Sequence, residues 1–211
     1  MRFLNLIIGD IRFQAKYGFY LVYMILTVFY IALLFAFPVS WRGKAAAIMI
    51  FSDPAAMGLF FMGAIVLLEK SQRVMEALAV SPVTVWEYIM SKVISLFLIS
   101  IIVAMVLAVA AGESNLILIF IGTMSASVIF SLIGLIAATK IGSLNQFFMV
   151  IIPIEIICFI PGILFLYGYG NGVRRWYPIC LCLGVIAIAV LFVISYRCVS
   201  KMWKSVGGVK L

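Results

Sequence analysis

Long apolar runs constrain the fold of this chain more than any other feature of its sequence. A helix that crosses a bilayer needs about 20 mostly apolar residues, because the hydrocarbon core is about 30 Å thick and a helix rises about 1.5 Å per residue. Runs of that length lie at residues 19–37, 45–68, 91–111, 116–139, 147–166 and 179–197. Because the connections are short, the sequence predicts a single all-α membrane domain over residues 1–211, with six transmembrane helices.

Composition excludes the soluble classes of protein. Hydrophobic residues make up 67% of the chain and charged residues 10%, whereas a soluble domain is about 45–50% apolar and about 25% charged. A water-soluble globule of this size cannot bury so much apolar surface, so soluble enzymes and nucleic-acid binders are excluded. The chain has no histidine, and its 4 cysteines are scattered. We therefore expect no metal site, and the lack of paired carboxylates predicts no catalytic centre.

The distribution of lysine and arginine predicts the orientation of the spans, because cytoplasmic loops carry an excess of both residues. Of the 15 Lys and Arg residues, all but four fall on the side of the membrane that holds the N-terminus. The exceptions are Arg42, Lys44, Arg174 and Arg175. Both termini, including a tail over residues 198–211, are therefore predicted to lie in the cytoplasm.

The segment before the first apolar run, residues 1–18, predicts a helix of its own. One helical stripe is apolar and consists of Phe3, Leu4, Ile7, Ile8 and Ile11. The opposite stripe is polar and basic and consists of Asn5, Gly9, Arg12 and Lys16. A basic amphipathic helix lies in the membrane interface, so we expect an interfacial helix here. The alternative is a solvated basic leader with no special role.

A second amphipathic helix is predicted over residues 69–80, between the second and third spans. Its polar face is formed by Glu69, Gln72, Arg73 and Glu76, and its apolar face by Val74, Met75 and Leu78. Ser81 followed by Pro82 predicts the start of the next helix, and Thr84 with Glu87 is a competing capping box. The alternative is an ordinary helical connection whose charges face water.

This loop resembles the cytoplasmic loop of ABC-2-type permeases. The matching residues are Glu69-Lys70, Val74-Met75-Glu76-Ala77-Leu78, Ser81-Pro82, Trp86-Glu87-Tyr88 and Ser91-Lys92. The resemblance implies that the loop holds a coupling helix, which docks into a separate ATPase subunit. The residues implied in coupling are Glu69, Arg73, Met75, Glu76, Leu78, Ser81 and Pro82.

The resemblance also implies the partners. The chain contains no G-x-x-x-x-G-K-[ST] phosphate-binding loop, so ATP and Mg are expected on the partner and no cofactor on this chain. The implied assembly holds two ATPase copies and a second permease, identical or related, in a bacterial cytoplasmic membrane. Each permease would form half of the path for a hydrophobic or amphiphilic substrate.

A second, weaker resemblance narrows the expected class of substrate. Asp10-Ile-Arg-Phe-Gln14 with Tyr17-Gly-Phe-Tyr20, and Ile50-Phe-Ser-Asp-Pro-Ala55 before Val66-Leu-Leu-Glu-Lys70, are similar to segments of bacterial multidrug export permeases of the fluoroquinolone type. This similarity implies a drug as substrate. The alternatives are a lipid or peptide ABC exporter subunit and an ion-coupled secondary carrier.

Two carboxylates within the apolar runs are candidates for the substrate path, since ionisable residues inside a membrane are costly. Glu155 lies between Pro153 and Pro161, which predicts an interrupted fifth span. The resemblance to ABC-2-type permeases implies a broken or re-entrant region between the fifth and sixth spans. Phe159 joins it as a candidate aromatic wall, and Asp53 precedes Pro54 in the second span. The alternatives are an Asp53 helix cap, a Glu155 ion pair with Arg174 or Arg175, and an interfacial aromatic belt.

The predicted orientation is testable by labelling single cysteines in intact cells, in a variant without the native cysteines. We expect a membrane-impermeant thiol reagent to modify Gly172→Cys and to leave Glu76→Cys unmodified until the cells are opened. The charge asymmetry requires this result, since it places position 76 inside and position 172 outside. Modification of position 76 but not of position 172 would overturn the orientation.

Overall fold

The computed structural model of this protein is helical in nearly all of the residues that it describes. These are residues 2–51, 57–113, 115–164 and 170–207, and within them the side chains of residues 2, 79, 157–164, 170–181, 206 and 207 are not described. The helices in chain order are α1 (Arg2–Lys16), α2 (Phe19–Ala36), α3 (Val39–Ile50), α4 (Met57–Ser71), α5 (Val74–Ala79), α6 (Val85–Ala111), α7 (Leu116–Lys140), α8 (Leu144–Leu164) and α9 (Gly170–Gly207).

Within the described residues, four helical segments are long and apolar enough to cross a membrane. They are Phe19–Ala36, Val85–Ala111, Leu116–Lys140 and Cys182–Ser205. These segments match the first, third, fourth and sixth predicted spans, which confirms an all-helical membrane fold in outline. The complete six-span architecture stays a prediction.

The other two predicted spans are described only in part. Most of the second, residues 45–68, falls on α3 and α4, helices of 12 and 15 residues that flank residues 52–56. Asp53 and Pro54 therefore lie outside the described residues. The fifth falls on α8, a helix of 21 residues whose side chains are described as far as Ile156.

The predicted interruption between Pro153 and Pro161 is wrong, because α8 is helical from Leu144 to Leu164. Each proline removes one backbone donor, whereas a full break would leave several carbonyl and N–H groups without partners in an apolar medium. A helix with isolated prolines is therefore the cheaper arrangement. Residues 165–169, where the re-entrant region was also expected, lie outside the described residues.

Helix α4 is buried in the bundle, where it packs mainly against α7 and also against α6 and α8. Four of its side chains are at most 1% exposed, those of Leu59, Met62, Ile65 and Val66. In contrast, α2 buries little and turns apolar side chains outward. Its exposed residues include Leu21, Met24, Ile25, Val28 and Phe29, as expected for a helix that faces lipid.

Small residues bring α7 close to α4. A Cβ atom at Gly134 would overlap the carbonyl oxygen of Leu59, and one at Gly58 would lie 2.9 Å from Ser131 Oγ. Such small residues let two backbones approach, which is how helices associate in a medium without a hydrophobic driving force between them. The contact between α4 and α7 is consequently a contact of backbones.

We expect Gly134→Ala to destabilise the protein by about 1–3 kcal/mol, because the added methyl group meets rigid backbone rather than a flexible side chain. Gly122→Ala is the matched control on the same helix, since its new Cβ meets nothing within 4 Å. The measurement is thermal unfolding of both variants in detergent micelles. Equal melting temperatures for the two variants would contradict the close α4–α7 contact.

Candidate functional site

A buried ion cluster joins three helices at the end of the bundle that carries α5. Lys92 Nζ on α6 lies 2.6 Å from Asp10 Oδ1 on α1 and 2.6 Å from Glu69 Oε1 on α4. The Tyr88 hydroxyl donates a hydrogen bond of 2.8 Å to Glu69 Oε2. Lys92 is 2% exposed and Glu69 4% exposed. We call Asp10, Glu69, Tyr88 and Lys92 the ion cluster.

Helical spacing explains how these side chains meet. Tyr88 and Lys92 are four residues apart on α6 and share one face, and Asp10 and Gln14 do the same on α1. One turn beyond the ions, Gln14 Nε2 donates a hydrogen bond of 2.7 Å to Ser95 Oγ. The face of α1 that carries Asp10 and Gln14 is therefore turned to α6.

The structure adds a third face to the two predicted stripes of α1. The helix extends from Arg2 to Lys16, and Leu4 and Ile8 of the apolar stripe are exposed, 61% and 46%, which agrees with an apolar face turned to the membrane. The inward face holds Asp10 and Gln14, because two polar partners on α6 offset the cost of their burial. A hydrophobic stripe indicates which face is apolar, and in a membrane protein that face can point to lipid.

The electrostatics of the cluster depend on mutual neutralisation. Burial, together with the nearby Asp10 carboxylate, raises the pKa of Glu69, and the Lys92 ammonium and the Tyr88 hydroxyl offset only part of this increase. A charge removed from water is stable only when it is paired and hydrogen-bonded. Lys92 has both carboxylates within hydrogen-bonding distance, so the three helices are held at one point.

Lys70, the neighbour of Glu69, connects α4 to α7. Its Nζ donates hydrogen bonds to the carbonyl oxygens of Ala138, Thr139 and Ile141, at 2.5, 3.1 and 3.1 Å. These carbonyls lie where α7 ends and lack helical partners. An ammonium is favoured there by the helix dipole, although partial burial lowers the pKa of Lys70.

The segment predicted as one helix over residues 69–80 is divided in the structure. α4 continues through Glu69 to Ser71, the chain turns at Arg73 with a left-handed φ of 56°, and α5 then begins at Val74. Glu69 thus belongs to the core rather than to the polar face of a surface helix. The helical pattern alone missed this, because the partners of Glu69 lie on other helices.

Helix α5 has one buried face and one exposed face. Met75 is 2% exposed, and Leu78 packs against the main hydrophobic core. On the other face, Arg73, Glu76 and Val80 are exposed. We call these three residues the outer face of α5.

The turn after α5 corrects the predicted start of the third span. Thr84 caps α6, accepting a hydrogen bond from the Glu87 N–H, while the Glu87 carboxylate accepts one from the Thr84 N–H. Ser81 instead closes α5 by donating to the Leu78 carbonyl, and Pro82 lies in the turn. The capping box therefore prevails, because it satisfies two backbone donors reciprocally.

Among the substrate-path candidates, Glu155 has a described side chain. Glu155 lies half-buried on α8. Asp53 and the side chains of Phe159, Arg174 and Arg175 lie outside the described residues. In the part of the chain that the structure describes, no cluster of three or more His, Cys, Asp or Glu is placed to hold a metal ion.

The sequence reasoning missed the ion cluster, although a signal was present. Lys92 was counted as a loop charge, yet it lies near the start of a long apolar run, where an ionisable residue needs a partner. Asp10 and Gln14 interrupt an amphipathic helix with the same four-residue spacing as Tyr88 and Lys92. Matching these two polar pairs would have predicted the contact between α1 and α6.

Comparisons with known proteins give consistent matches. The model of the fluoroquinolones export permease protein family matches residues 2–190. Fluoroquinolones export permease proteins from two strains of Mycobacterium tuberculosis are each 28% identical over 150 residues, which are 70% of this chain and 63% of those proteins. The match thus spans less than two thirds of the relatives' length. No solved structure gives a significant match.

We expect Lys92→Met to destabilise the protein by about 3–5 kcal/mol, because it leaves two buried carboxylates without their shared cation. Glu69→Gln should cost less, since the Lys92–Asp10 pair survives. Lys201→Met is the control, as Lys201 is exposed and such changes stay within about 0.5 kcal/mol. Melting temperatures measure all three, and a Lys92→Met protein that melts like Lys201→Met would contradict the role of the cluster.

Proposed function

Because the chain belongs to the fluoroquinolones export permease protein family, we propose that it is the permease subunit of an ATP-driven ABC exporter of amphiphilic drugs. In this proposal, ATP and Mg bind to a separate ATPase subunit, present in two copies. A second permease, identical or related, completes the translocation path. A lipid or peptide substrate is the alternative within the same class.

The observation that carries the proposal is that the outer face of α5 is exposed while its opposite face is packed against neighbouring helices. Glu76 is exposed on a helix of six residues, and so are Arg73 and Val80 at its two ends, while Met75 and Leu78 anchor its other side. A helix this short is marginal by itself, so its position is set by the helices around it. A partner that moves α5 must therefore move them too.

Two routes lead from α5 into the membrane. The first runs through α4, because Glu69 and Lys70 lie one turn before α5 and bind α6 and the end of α7. The second runs through α9, which packs directly against α5. On α9, the Trp203 ring lies 5.6 Å from the Tyr88 ring, so this route also meets the ion cluster.

The charge pattern of the outer face supports docking to a protein. Arg73 and Glu76 present opposite charges, and Val80, 77% exposed, adds an apolar contact. Complementary charges set the register of an interface and speed association. An ion-coupled carrier works without an ATPase subunit, so the same surface would have no binding partner there.

The test is drug-stimulated ATP hydrolysis by the complex of this protein with its ABC ATPase, which is to be sought first among the genes adjacent to its own. We expect Arg73→Glu to lower the stimulated rate about tenfold, equivalent to about 1.4 kcal/mol for a lost interface charge pair. Lys204→Glu is the matched control, because it makes the same charge change at an exposed position near the same end, on α9. Melting temperatures of both variants establish that they fold.

Two outcomes would reject the proposal. One is export that continues when ATP is depleted and stops when the ion gradient is collapsed, which indicates a secondary carrier. The other is an Arg73→Glu variant that copurifies and hydrolyses ATP like the wild type, which removes α5 as the docking element.

A further inference from the structure

A cavity of about 700 Å³ opens between α3 and α7, at the end of the bundle away from α5. Lys44, Glu113 and Asn115 line it together with apolar residues that include Ile50, Phe51 and Leu118. Small-molecule sites have volumes of about 300–1,000 Å³ and combine apolar walls with a few placed polar groups. This cavity has the size and the composition of such a site.

The position of Glu113 is set by the backbone. Gly112 ends α6 with φ +76°, and the Glu113 N–H donates to the Ala108 carbonyl while the Gly112 N–H donates to Val109. This pair of bonds is a Schellman motif, which fixes the chain beyond a helix end. The Glu113 carboxylate then lies against Gly43, where a side chain would collide with it.

Lys44 supplies the opposite charge. It lies next to Gly43 on α3, and its Nζ is 5.6 Å from the centroid of the Trp41 ring. Neither Lys44 nor Glu113 forms an ion pair with another residue in the described part of the chain. Among the described residues, the cavity thus presents one cation and one anion that have no ion-pair partner.

Thr123 adds an unsatisfied hydroxyl to the wall. The residue is 4% exposed, it lines the cavity, and its Oγ1 has no hydrogen-bond partner among the described residues. A buried hydroxyl without a partner costs free energy. Threonine uses two χ1 rotamers in a helix, and rotation between them would offer this hydroxyl to a bound molecule.

We propose that this cavity binds an amphiphile that carries an ammonium and a carboxylate on an aromatic body. Glu113 receives the ammonium, Lys44 receives the carboxylate, and the wall formed by Ile50, Phe51 and Leu118 covers the apolar body. The inference rests on the proposed function, in that the occupant is the exported substrate. It adds the position of the site and the charge that each residue recognises.

The first experiment matches ligand charges to residues. Ciprofloxacin, its N-acetyl derivative and its methyl ester are titrated against the full chain in phosphatidylglycerol nanodiscs, with ligand fluorescence as the readout. Loss of either ligand charge should weaken binding to the wild type about tenfold. Glu113→Gln should remove the difference between ciprofloxacin and the N-acetyl form alone, and Lys44→Gln the difference between ciprofloxacin and the ester alone. Unchanged differences in both variants would overturn the assignment.

The second experiment tests the location by filling the cavity. A Cβ at Gly122, which lines the cavity, meets nothing within 4 Å, so Gly122→Leu projects into open space. Gly184→Leu is the matched control, because its Cβ on α9 is equally unobstructed and lies outside the lining. We expect at least a tenfold loss of affinity for the first variant only. Equal affinities in the two variants would exclude this cavity.

A lipid headgroup carries the same charges, so nanodiscs of phosphatidylethanolamine form a separate arm. Ciprofloxacin binding that persists there supports a drug site, whereas its loss there assigns the cavity to lipid and overturns the proposal. These readouts are independent of ATP hydrolysis. Binding with the expected charge pattern but without ATP-driven export would refute the proposed function alone, and ATP-driven export without binding here would refute the site alone.

Discussion

The ion cluster is the interaction on which the rest of the α5 end depends. A buried lysine between two carboxylates is stable only in one geometry, because each charge has lost its water and needs the others. Asp10, Glu69 and Lys92 come from three helices, so satisfying them fixes α1 and α4 on α6. Apolar packing alone tolerates sliding, whereas this pairing specifies a register along the helix axes.

The register of α1, α4 and α6 determines the position of α5. The helix is too short to hold itself, and its outer face is exposed only because α4 delivers Arg73 to the surface directly after burying Glu69 and Lys70. The buried ion pair between Glu69 and Lys92 is thus only a few residues away from the exposed side chain of Arg73. Under the proposed function, α5 would transmit force from a partner, and such an element can be moved from outside without first unfolding.

The sequence predicted the elements that are determined by neighbouring residues. It missed the features that depend on contacts between residues far apart in the chain. Apolar length located α2, α7 and the end of α6 closely, and the spacing of Thr84 and Glu87 contained the cap of α6. In contrast, periodicity assigned Glu69 to a solvent face, because its partner Lys92 stands 23 positions further along. Proline positions likewise predicted a break in α8, since local rules omit the cost of free backbone groups in lipid.

The contact between α4 and α7 connects the two ends of the molecule. At the α5 end, Lys70 donates to carbonyl groups at the end of α7. Further along, Gly134 lies against the backbone of Leu59, and Gly58 lies beside Ser131. Thr123, about two turns further along α7, already lines the cavity. Backbones in contact transmit displacement better than side chains do, because no rotamer can absorb it. A displacement of α4 at the α5 end therefore has a stiff path to the wall of the cavity.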